Sequence, residues 1–233
     1  FNSWTLVKKL NELTKAPFSS YLKFKDFEVF CGSPERYIKK TGQELISQPI
    51  KGTIQRGRTE KEDITLKEKL VNDPKERSEN IMITDLVRND FSKIAQKGSV
   101  NVKELCQPYS FGTVHQLIST ITCDIKENLP FSEILKASFP MGSMTGAPKI
   151  SAMNIIEEQE NFKRGLYSGT IGYFKPSGDF DFNVVIRSLI LNKKTNYLSC
   201  AVGGAITTNS IPENEYAECL TKVERIMELF GHD

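Results

Sequence analysis

One lysine within residues 48–53 has the surroundings of a nucleophile. Lys51 directly precedes Gly52 and follows the strand-like run of residues 44–47. Because Pro49 cannot donate a backbone hydrogen bond to a sheet, we expect the strand to end there and Lys51 to lie on a tight turn. Partial removal from water favours the uncharged amine, which is a nucleophile. The alternative is an ordinary solvated lysine, since most lysines are exposed.

A carboxylate on a capped helix is the next candidate. Asp73 as N-cap followed by Pro74 predicts a helix start, and the helix should extend to about Val87. Glu79 lies on or near the inward face of this helix, four residues before Ile83. It is either a carboxylate held in apolar surroundings or a surface glutamate paired with a neighbouring basic side chain.

Two more carboxylates lie on the predicted C-terminal helix, residues 212–230. At 100° per residue, Glu215, Glu218 and Lys222 fall on one side of this helix and Tyr216 falls on the other. Two glutamates three residues apart, with a lysine one turn later, form either a solvated face with an i,i+4 pair or one edge of a metal site.

Three other segments carry groups suited to substrate contacts. His115 alternates with Leu117 on a predicted strand of residues 114–122, where a histidine is more often a core residue than a catalyst. Arg187 interrupts an apolar strand, and a buried guanidinium needs an anionic partner. The glycine-rich residues 139–149 lead into a predicted helix, whose free N-terminal amides suit an anion or a carboxylate.

The composition argues against several classes of protein. The 31 basic and 29 acidic residues of the 233-residue chain give a net charge of +2, which leaves no electrostatic footprint for nucleic acid or an anionic membrane. No apolar run approaches the ~18 residues needed to span a bilayer. Five cysteines without C-x-x-C spacing, and only two histidines, argue against a zinc site and indicate reduced cysteines in a cytoplasmic protein.

The order of elements predicts a mixture of helices and antiparallel strands without a linker. The pattern indicates a β-meander from residue 21 to residue 47 and a mobile polar loop at residues 56–63. In the last third it predicts strands joined by turn-rich segments, at residues 167–174, 180–191 and 197–201.

Several ordered motifs together resemble the catalytic domain of the chorismate-utilising enzymes. They are SPER at residues 33–36, SENIMI at 78–83 with DLVRND at 85–90, VHQL at 114–117, GSMTGAPK at 142–149, YSG at 167–169 with IGY at 171–173, IR at 186–187, GG at 203–204, and EYAE at 215–218 with Lys222. The stretch around Lys51 looks most like the branch that forms 4-amino-4-deoxychorismate. The anthranilate-forming branch carries alanine where Lys51 stands.

The resemblance implies an enzyme that acts on chorismate. Glu35 matches the family's general acid–base glutamate, and Lys51 matches its nucleophile. Lys51 would add to ring carbon 2 as the hydroxyl on carbon 4 leaves, and ammonia would then attack carbon 4. His115 and Thr145 would contact the region of the departing hydroxyl.

The resemblance also implies a magnesium ion and a set of substrate-binding residues. Mg²⁺ suits one or two carboxylates together with substrate oxygens and waters. Its ligands would be Glu79 and Glu218, with Glu215 close by. The residues that hold the substrate would be Gly52, Thr53, Thr145, Tyr167, Arg187, Gly203, Gly204 and Lys222.

The fold implied by the resemblance is an α+β sandwich, in which two mainly antiparallel sheets pack together with helices outside. Related chains begin before this one, so we expect residues 1–233 to be one chorismate-binding catalytic domain that is incomplete at its N-terminus. The reaction would belong to the transaminase class and serve 4-aminobenzoate and folate biosynthesis. Since the chain shows no glutaminase motif, we expect a glutamine amidotransferase subunit as the partner that supplies ammonia.

Two alternatives stay open at this point. An anthranilate synthase would use the same magnesium site without a lysine nucleophile, and an isochorismate synthase is the other enzyme that the resemblance allows. The chain would otherwise be a non-catalytic fragment that binds a glutaminase partner.

Overall fold

The computed structural model describes residues 2–208 and 210–231, and the chain divides into two compact units. Unit 1 comprises Phe1–Pro34, Arg164–Ile171 and Asn183–Asp233, and unit 2 comprises Glu35–Lys163 and Gly172–Phe182. Each unit has its own antiparallel sheet. The assignment of residues 1–233 to a single catalytic domain stays a prediction.

Helices and strands are interspersed along the described residues. The α-helices are α1 (Ser3–Thr14), α2 (Glu60–Asn72), α3 (Pro74–Ser92), α4 (Phe131–Ser138), α5 (Lys149–Gln159) and α6 (Pro212–Met227), with short 3₁₀ turns at Gly142–Met144 and Glu228–Phe230. The strands are β1 (Phe18–Lys23), β2 (Phe27–Ser33), β3 (Arg36–Thr41), β4 (Glu44–Gln48), β5 (Ile50–Gln55), β6 (Asn101–Ser110), β7 (Val114–Asp124), β8 (Gly172–Phe174), β9 (Phe180–Asn183), β10 (Ser188–Asn192) and β11 (Tyr197–Ser199). The predicted α+β class with two mainly antiparallel sheets is confirmed.

Unit 1 is built on a four-stranded antiparallel sheet in the order β1-β2-β10-β11. Leu6 and Leu10 are four residues apart and therefore lie on one face of α1. They pack in a buried cluster with Phe30 of β2, Leu189 of β10 and Ile226 of α6. The first and last helices of the chain are thus held by the same core.

Unit 2 is built on a seven-stranded sheet in which β7 has strands on both sides. It pairs with β4 and β5 along one edge and with β6 along the other, while β3, β9 and β8 continue the sheet beyond β4. Helix α3 packs against β5, β6 and β7. Its predicted start is confirmed, because the Asp73 carboxylate accepts from the backbone amides of Lys75 and Glu76, with Pro74 in the first turn.

The predicted position of Lys51 on a turn is wrong. The chain resumes pairing with β7 directly after Pro49, so Lys51 lies within strand β5. Proline removes one backbone donor and ends β4, but the residues that follow it still carry their own N–H groups.

The predicted mobile loop at residues 56–63 is shorter than expected, because α2 already begins at Glu60. The polar residues of this segment bind one another. Both carboxylate oxygens of Asp63 lie 2.7 Å from the Arg56 guanidinium, and the backbone amide of Gly57 donates to Asp63 at 2.8 Å.

The predicted strand at residues 180–191 is two strands. β9 ends at Asn183 in the sheet of unit 2, and β10 begins at Ser188 in the sheet of unit 1, with an irregular segment between them. Of residues 167–174, Gly172–Phe174 alone form a strand. A continuous apolar pattern does not show where a chain leaves one sheet for another.

The buried residues of α6 are one carboxylate, Glu215, and one apolar residue, Ile226. Glu215 is 5% exposed, whereas Tyr216, Leu220 and Met227 are 67%, 49% and 48% exposed. The interpretation of the acidic side as a solvated face is therefore wrong for Glu215. The five cysteines are free thiols, as predicted. Among the described residues, no helix combines the length and the apolar character needed to cross a membrane.

Candidate active site

The predicted site residues form two sets, one in each unit. Unit 2 carries the proposed nucleophile, the acid–base group and one metal ligand: Glu35, Lys51, Gly52, Thr53, Glu79, His115 and Thr145. Unit 1 carries the remaining acidic, basic and glycine positions: Tyr167, Arg187, Gly203, Gly204, Glu215, Glu218 and Lys222.

Glu35 has the environment of an acid–base catalyst. It directly precedes β3 and is only 5% exposed. Burial raises the pKa of its carboxyl to about 7, and the Ser143 hydroxyl, the positive charge of Lys51 and the backbone amide of Ile50 oppose this rise. A carboxyl with a pKa near neutrality can both donate and accept a proton at physiological pH. The same contacts bring the first residues of β5 next to Glu35.

Lys51 is displayed by a β-bulge. The register between β5 and β7 shifts between Ile50 and Thr53, so Lys51 and Gly52 lie outside the regular ladder. Gly52 has a φ of 89°, and a Cβ placed there would lie 3.2 Å from both Glu76 Oε2 and Leu117 Cδ1. The bulge therefore requires a glycine directly after the lysine.

Glu79 faces inward from α3, as the helix pattern predicts. It is 9% exposed, and its Oε1 lies 3.9 Å from Nζ of Lys75, one helical turn earlier. Both interpretations of this residue thus hold in part, because the carboxylate is buried and has a basic neighbour. Carboxylate oxygens accept several partners at once, so a long contact to one lysine does not prevent cation binding.

His115 is a fully engaged core residue. It is 1% exposed, and its Nε2 lies 2.9 Å from the Asp63 carboxylate while its Nδ1 lies 2.9 Å from the Ser110 hydroxyl. The Arg56 guanidinium is the main reason that the pKa of Asp63 lies well below its usual range. Contact of His115 with a departing hydroxyl would require one of these two hydrogen bonds to open, and its catalytic role stays a prediction.

The glycine-rich segment is anchored by a buried ion pair. Lys149 donates to the Asp90 carboxylate and to the backbone oxygens of Ser138, at 3.2 Å, and Pro140, at 2.8 Å. Thr145 donates its hydroxyl to the backbone oxygen of Met141 at 3.1 Å, inside the same segment. These contacts hold the loop that presents Ser143 to Glu35.

Five of the residues predicted in unit 1 converge around a glycine pair. A Cβ at Gly204 would lie 3.3 Å from Glu215 Oε2, 3.9 Å from Glu218 Oε1 and 4.0 Å from Lys222 Nζ. A sixth predicted residue, Tyr167, lies beside the other glycine, because a Cβ at Gly203 would lie 3.2 Å from its hydroxyl. Lys222 also pairs with Glu218 at 2.6 Å and donates to the backbone oxygen of Gly203 at 2.8 Å. The predicted i,i+4 pair is confirmed.

Arg187 supplies positive charge without a carboxylate partner in residues 2–208 and 210–231. Burial lowers the pKa of its guanidinium, and the nearby charge of Arg225 lowers it further. Its φ of 52° is uncommon for a residue with a side chain. A guanidinium removed from water and facing a second arginine is stabilised by a bound anion.

The carboxylates of Glu215 and Glu218 suit a magnesium ion in their chemistry. Among the described residues, no group of three or more acidic, histidine or cysteine side chains is arranged to hold a metal. Glu215 is a buried carboxylate, and the missing side chain of Gly204 leaves space beside Glu215 and Glu218. Oxygen ligands of this kind are those that Mg²⁺ prefers.

Sequence reasoning missed three supporting residues. Ser143 was visible in a glycine-rich motif but had no feature that pointed to Glu35. Asp63 falls in the predicted loop of residues 56–63, and nothing in that polar segment indicates its contact with His115. Asn80 is 1% exposed on the same face of α3 as Ile83, and a polar residue among inward-facing apolar positions was a usable signal.

Comparison with known proteins agrees with the sequence motifs. A family model described as chorismate binding enzyme matches residues 1–228. Aminodeoxychorismate synthase component 1 of Escherichia coli (strain K12) is 42% identical over 226 residues, which are 97% of this chain and 49% of that protein. Anthranilate synthase component 1 of Aquifex aeolicus is 36% identical over 97% of this chain and 45% of that protein.

Solved structures show the same architecture. The crystal structure of anthranilate synthase component I from Streptococcus pneumoniae aligns with a TM-score of 0.84 at 32% identity, covering 96% of this chain and 49% of that one. The chain therefore spans about half the length of the relatives that it matches.

Proposed function

Because the chain belongs to the family of chorismate binding enzymes, we propose that it carries the catalytic residues of an aminodeoxychorismate synthase component 1. The reaction converts chorismate and ammonia to 4-amino-4-deoxychorismate, a transaminase-class step toward 4-aminobenzoate and folate. The observation that carries the proposal is the neighbourhood of Glu35 and Lys51: a buried carboxyl with a pKa of about 7 beside a lysine on a bulged strand.

In the first step the neutral amine of Lys51 forms a carbon–nitrogen bond to ring carbon 2 of chorismate. The ring electrons shift, and the bond between carbon 4 and its hydroxyl oxygen breaks. Glu35, protonated at the start, gives its proton to the departing hydroxyl, which leaves as water. The Glu35 carboxylate then takes a proton from the new ammonium on Lys51.

In the second step ammonia forms a bond to carbon 4, and the bond between carbon 2 and the Lys51 nitrogen breaks. Glu35 protonates the leaving lysine amine and afterwards takes a proton from the nitrogen on carbon 4. Lys51 and Glu35 thus return to their starting states. Two easier displacements replace one difficult substitution of a hydroxyl by ammonia.

The substrate carboxylates need positive charge and hydrogen-bond donors. We propose that Arg187 and Lys222 supply the charge, with Tyr167 and the backbone amides of Gly203 and Gly204 as donors. Gly52, Thr53 and Thr145 are also proposed to border the substrate. When bound, Mg²⁺ would neutralise a substrate carboxylate, and the side chains proposed to hold it are Glu79, Glu215 and Glu218.

Ammonia is proposed to come from a separate glutamine amidotransferase subunit. The purified single protein should then use ammonium salts and not glutamine, and addition of the partner should make glutamine an effective nitrogen source. Glutamine-dependent turnover by the single protein would contradict this part of the proposal.

The product separates the proposed function from its main alternative. The protein that contains this chain is incubated with chorismate, Mg²⁺ and an ammonium salt, and the product is assayed in two ways. A coupled lyase that forms 4-aminobenzoate reports 4-amino-4-deoxychorismate, and direct fluorescence reports anthranilate. We expect a signal in the coupled assay alone. Direct anthranilate formation would indicate the other branch, and no turnover of chorismate would indicate a non-catalytic protein.

A further inference from the structure

The β5 bulge places the backbone oxygen of Lys51 outside the regular ladder. β5 pairs with β7 at Ile50 and again from Thr53, and among the described strands it has no partner on its other edge. The carbonyl of Lys51 therefore needs a hydrogen-bond donor from outside the regular ladder, because a buried carbonyl without a donor destabilises the fold.

The side chain of Asn80 provides this contact from α3. Its Nδ2 donates to the backbone oxygen of Lys51 at 3.3 Å and to that of Leu117 at 3.1 Å. One amide group therefore joins the bulge in β5, the neighbouring strand β7 and helix α3. Asn80 is also the residue that directly follows Glu79.

The orientation of this amide is fixed by a chain of hydrogen bonds. The Ser119 hydroxyl accepts from the backbone amide of Cys106 at 2.9 Å, so its own proton is available to the Oδ1 of Asn80, which it contacts. With Oδ1 engaged there, the NH₂ group must point to the two carbonyl oxygens. Asn80 and Ser119 are 1% and 0% exposed, so water does not compete.

Local structure gives no reason for an asparagine at this place. Asparagine is a weak helix former, and its helix face is otherwise completed by Ile83 and Val87. A buried amide is tolerated here because all of its polar atoms are satisfied. A leucine at position 80 could not donate a hydrogen bond to the backbone carbonyl of Lys51, the proposed nucleophile.

We propose that Asn80 is a positioning residue for Lys51, whose amide holds the β5 bulge in the register that presents the lysine amine beside Glu35. This inference rests on the proposed function in so far as Lys51 is the nucleophile. It predicts that loss of the amide affects the chemical step more than the binding of chorismate.

Thr84 provides a matched control. It lies one turn after Asn80 on the same helix face, is 2% exposed, and donates its hydroxyl to the Asn80 backbone oxygen at 2.8 Å. Thr84→Val removes this bond and the longer 3.5 Å contact of the same hydroxyl with Asn80 Oδ1. It leaves the Ser119 bond to Oδ1 and both Nδ2 bonds of Asn80 in place. Asn80→Leu keeps the branched shape and the number of side-chain heavy atoms and removes every hydrogen bond of the amide.

The first measurement does not depend on activity. Hydrogen exchange of a peptide covering residues 50–55, followed by mass spectrometry, reports the local stability of β5. We expect exchange to be at least about tenfold faster in Asn80→Leu than in wild type, with Thr84→Val within about twofold. Equal protection of β5 in Asn80→Leu and wild type would overturn the positioning role, even in a protein that does not convert chorismate.

The second measurement uses steady-state kinetics with saturating ammonium. We expect kcat of Asn80→Leu to fall by about 10- to 100-fold, with KM for chorismate within about twofold of wild type. Thr84→Val should retain the wild-type kcat. A kcat within about twofold of wild type in folded Asn80→Leu would contradict the inference. An inactive wild-type protein would instead refute the proposed function, and hydrogen exchange would still decide the role of Asn80.

Ser119→Ala decides the matter if Asn80→Leu does not fold. It removes the hydroxyl that orients the amide and leaves Asn80 in place. Faster exchange of residues 50–55 and a kcat lowered by at least about threefold are expected. Wild-type exchange and wild-type kcat in this variant would overturn the proposal.

Discussion

Replacement of Glu35 by glutamine should change the pH dependence of stability. In the unfolded chain this carboxyl has a pKa of 4.5, and burial raises the pKa to about 7 in the folded protein. Between these two values the folded protein keeps a proton that the unfolded chain releases. The wild-type free energy of unfolding therefore contains a penalty that is absent below pH 4.5, grows as the pH rises, and is complete above pH 7.

The size of the effect follows from the same values. The interval from 4.5 to about 7 corresponds to roughly 3 kcal/mol of destabilisation at pH 8. Glutamine has nearly the same shape and no charge to bury. Glu35→Gln should therefore have about the wild-type stability at pH 4.5 and be more stable than wild type by up to roughly 3 kcal/mol at pH 8. Its turnover should be strongly reduced, because it cannot transfer a proton.

Urea unfolding of both proteins without Mg²⁺, at several pH values from 4.5 to 8, measures the difference. Glu28→Gln is the control, since Glu28 is also buried but its pKa is lowered, chiefly by a hydrogen bond from Ser3. The stability that Glu28 contributes is lost only in acid, so its difference from wild type should be constant between pH 5 and pH 8. A difference for Glu35→Gln that does not change with pH would refute the environment assigned to this carboxyl.

Three further variants test separate parts of the structure. Gly52→Ala should lower the free energy of unfolding in urea by roughly 1–3 kcal/mol, because a side chain at φ 89° is strained; unchanged stability would mean that the bulge relaxes. His115→Phe keeps an aromatic ring and loses both hydrogen bonds of the histidine. The free energy of unfolding in urea should therefore fall by about 1–2 kcal/mol. A variant as stable as wild type would show that these bonds do not stabilise the fold. Glu218→Gln should raise the Mg²⁺ concentration for half-maximal initial rate at least about tenfold; an unchanged titration would remove Glu218 from the ligand set.

Local signals in the sequence were sufficient for the elements that local contacts determine. Asp73 and Pro74 identify the start of α3 because capping involves neighbours in the chain. Pro212 likewise occupies the first turn of α6. Several ordered motifs between residue 33 and Lys222 together identify the family, which the comparisons confirm.

Features that depend on tertiary contacts were not available from the pattern. The residues after Pro49 form a strand because β7 offers them a partner, and the bulge at Lys51 is stabilised from another helix by Asn80. Glu215 is buried on α6 together with the core residue Ile226, and a helical pattern of polar and apolar residues does not predict a buried carboxylate. The irregular segment between β9 and β10, which includes Arg187, lies where the chain passes from one sheet to the other.

A covalent adduct on Lys51 is the most direct test of the proposed mechanism. The protein is incubated with chorismate and Mg²⁺ in the absence of ammonia, and its intact mass is measured. Wild type should gain the mass of chorismate less one water, peptide mapping should locate the gain to Lys51, and Lys51→Ala should show none. Synthesis of 4-amino-4-deoxychorismate by Lys51→Ala at the wild-type rate, or turnover by wild type without any adduct on Lys51, would contradict the role of this lysine as the nucleophile.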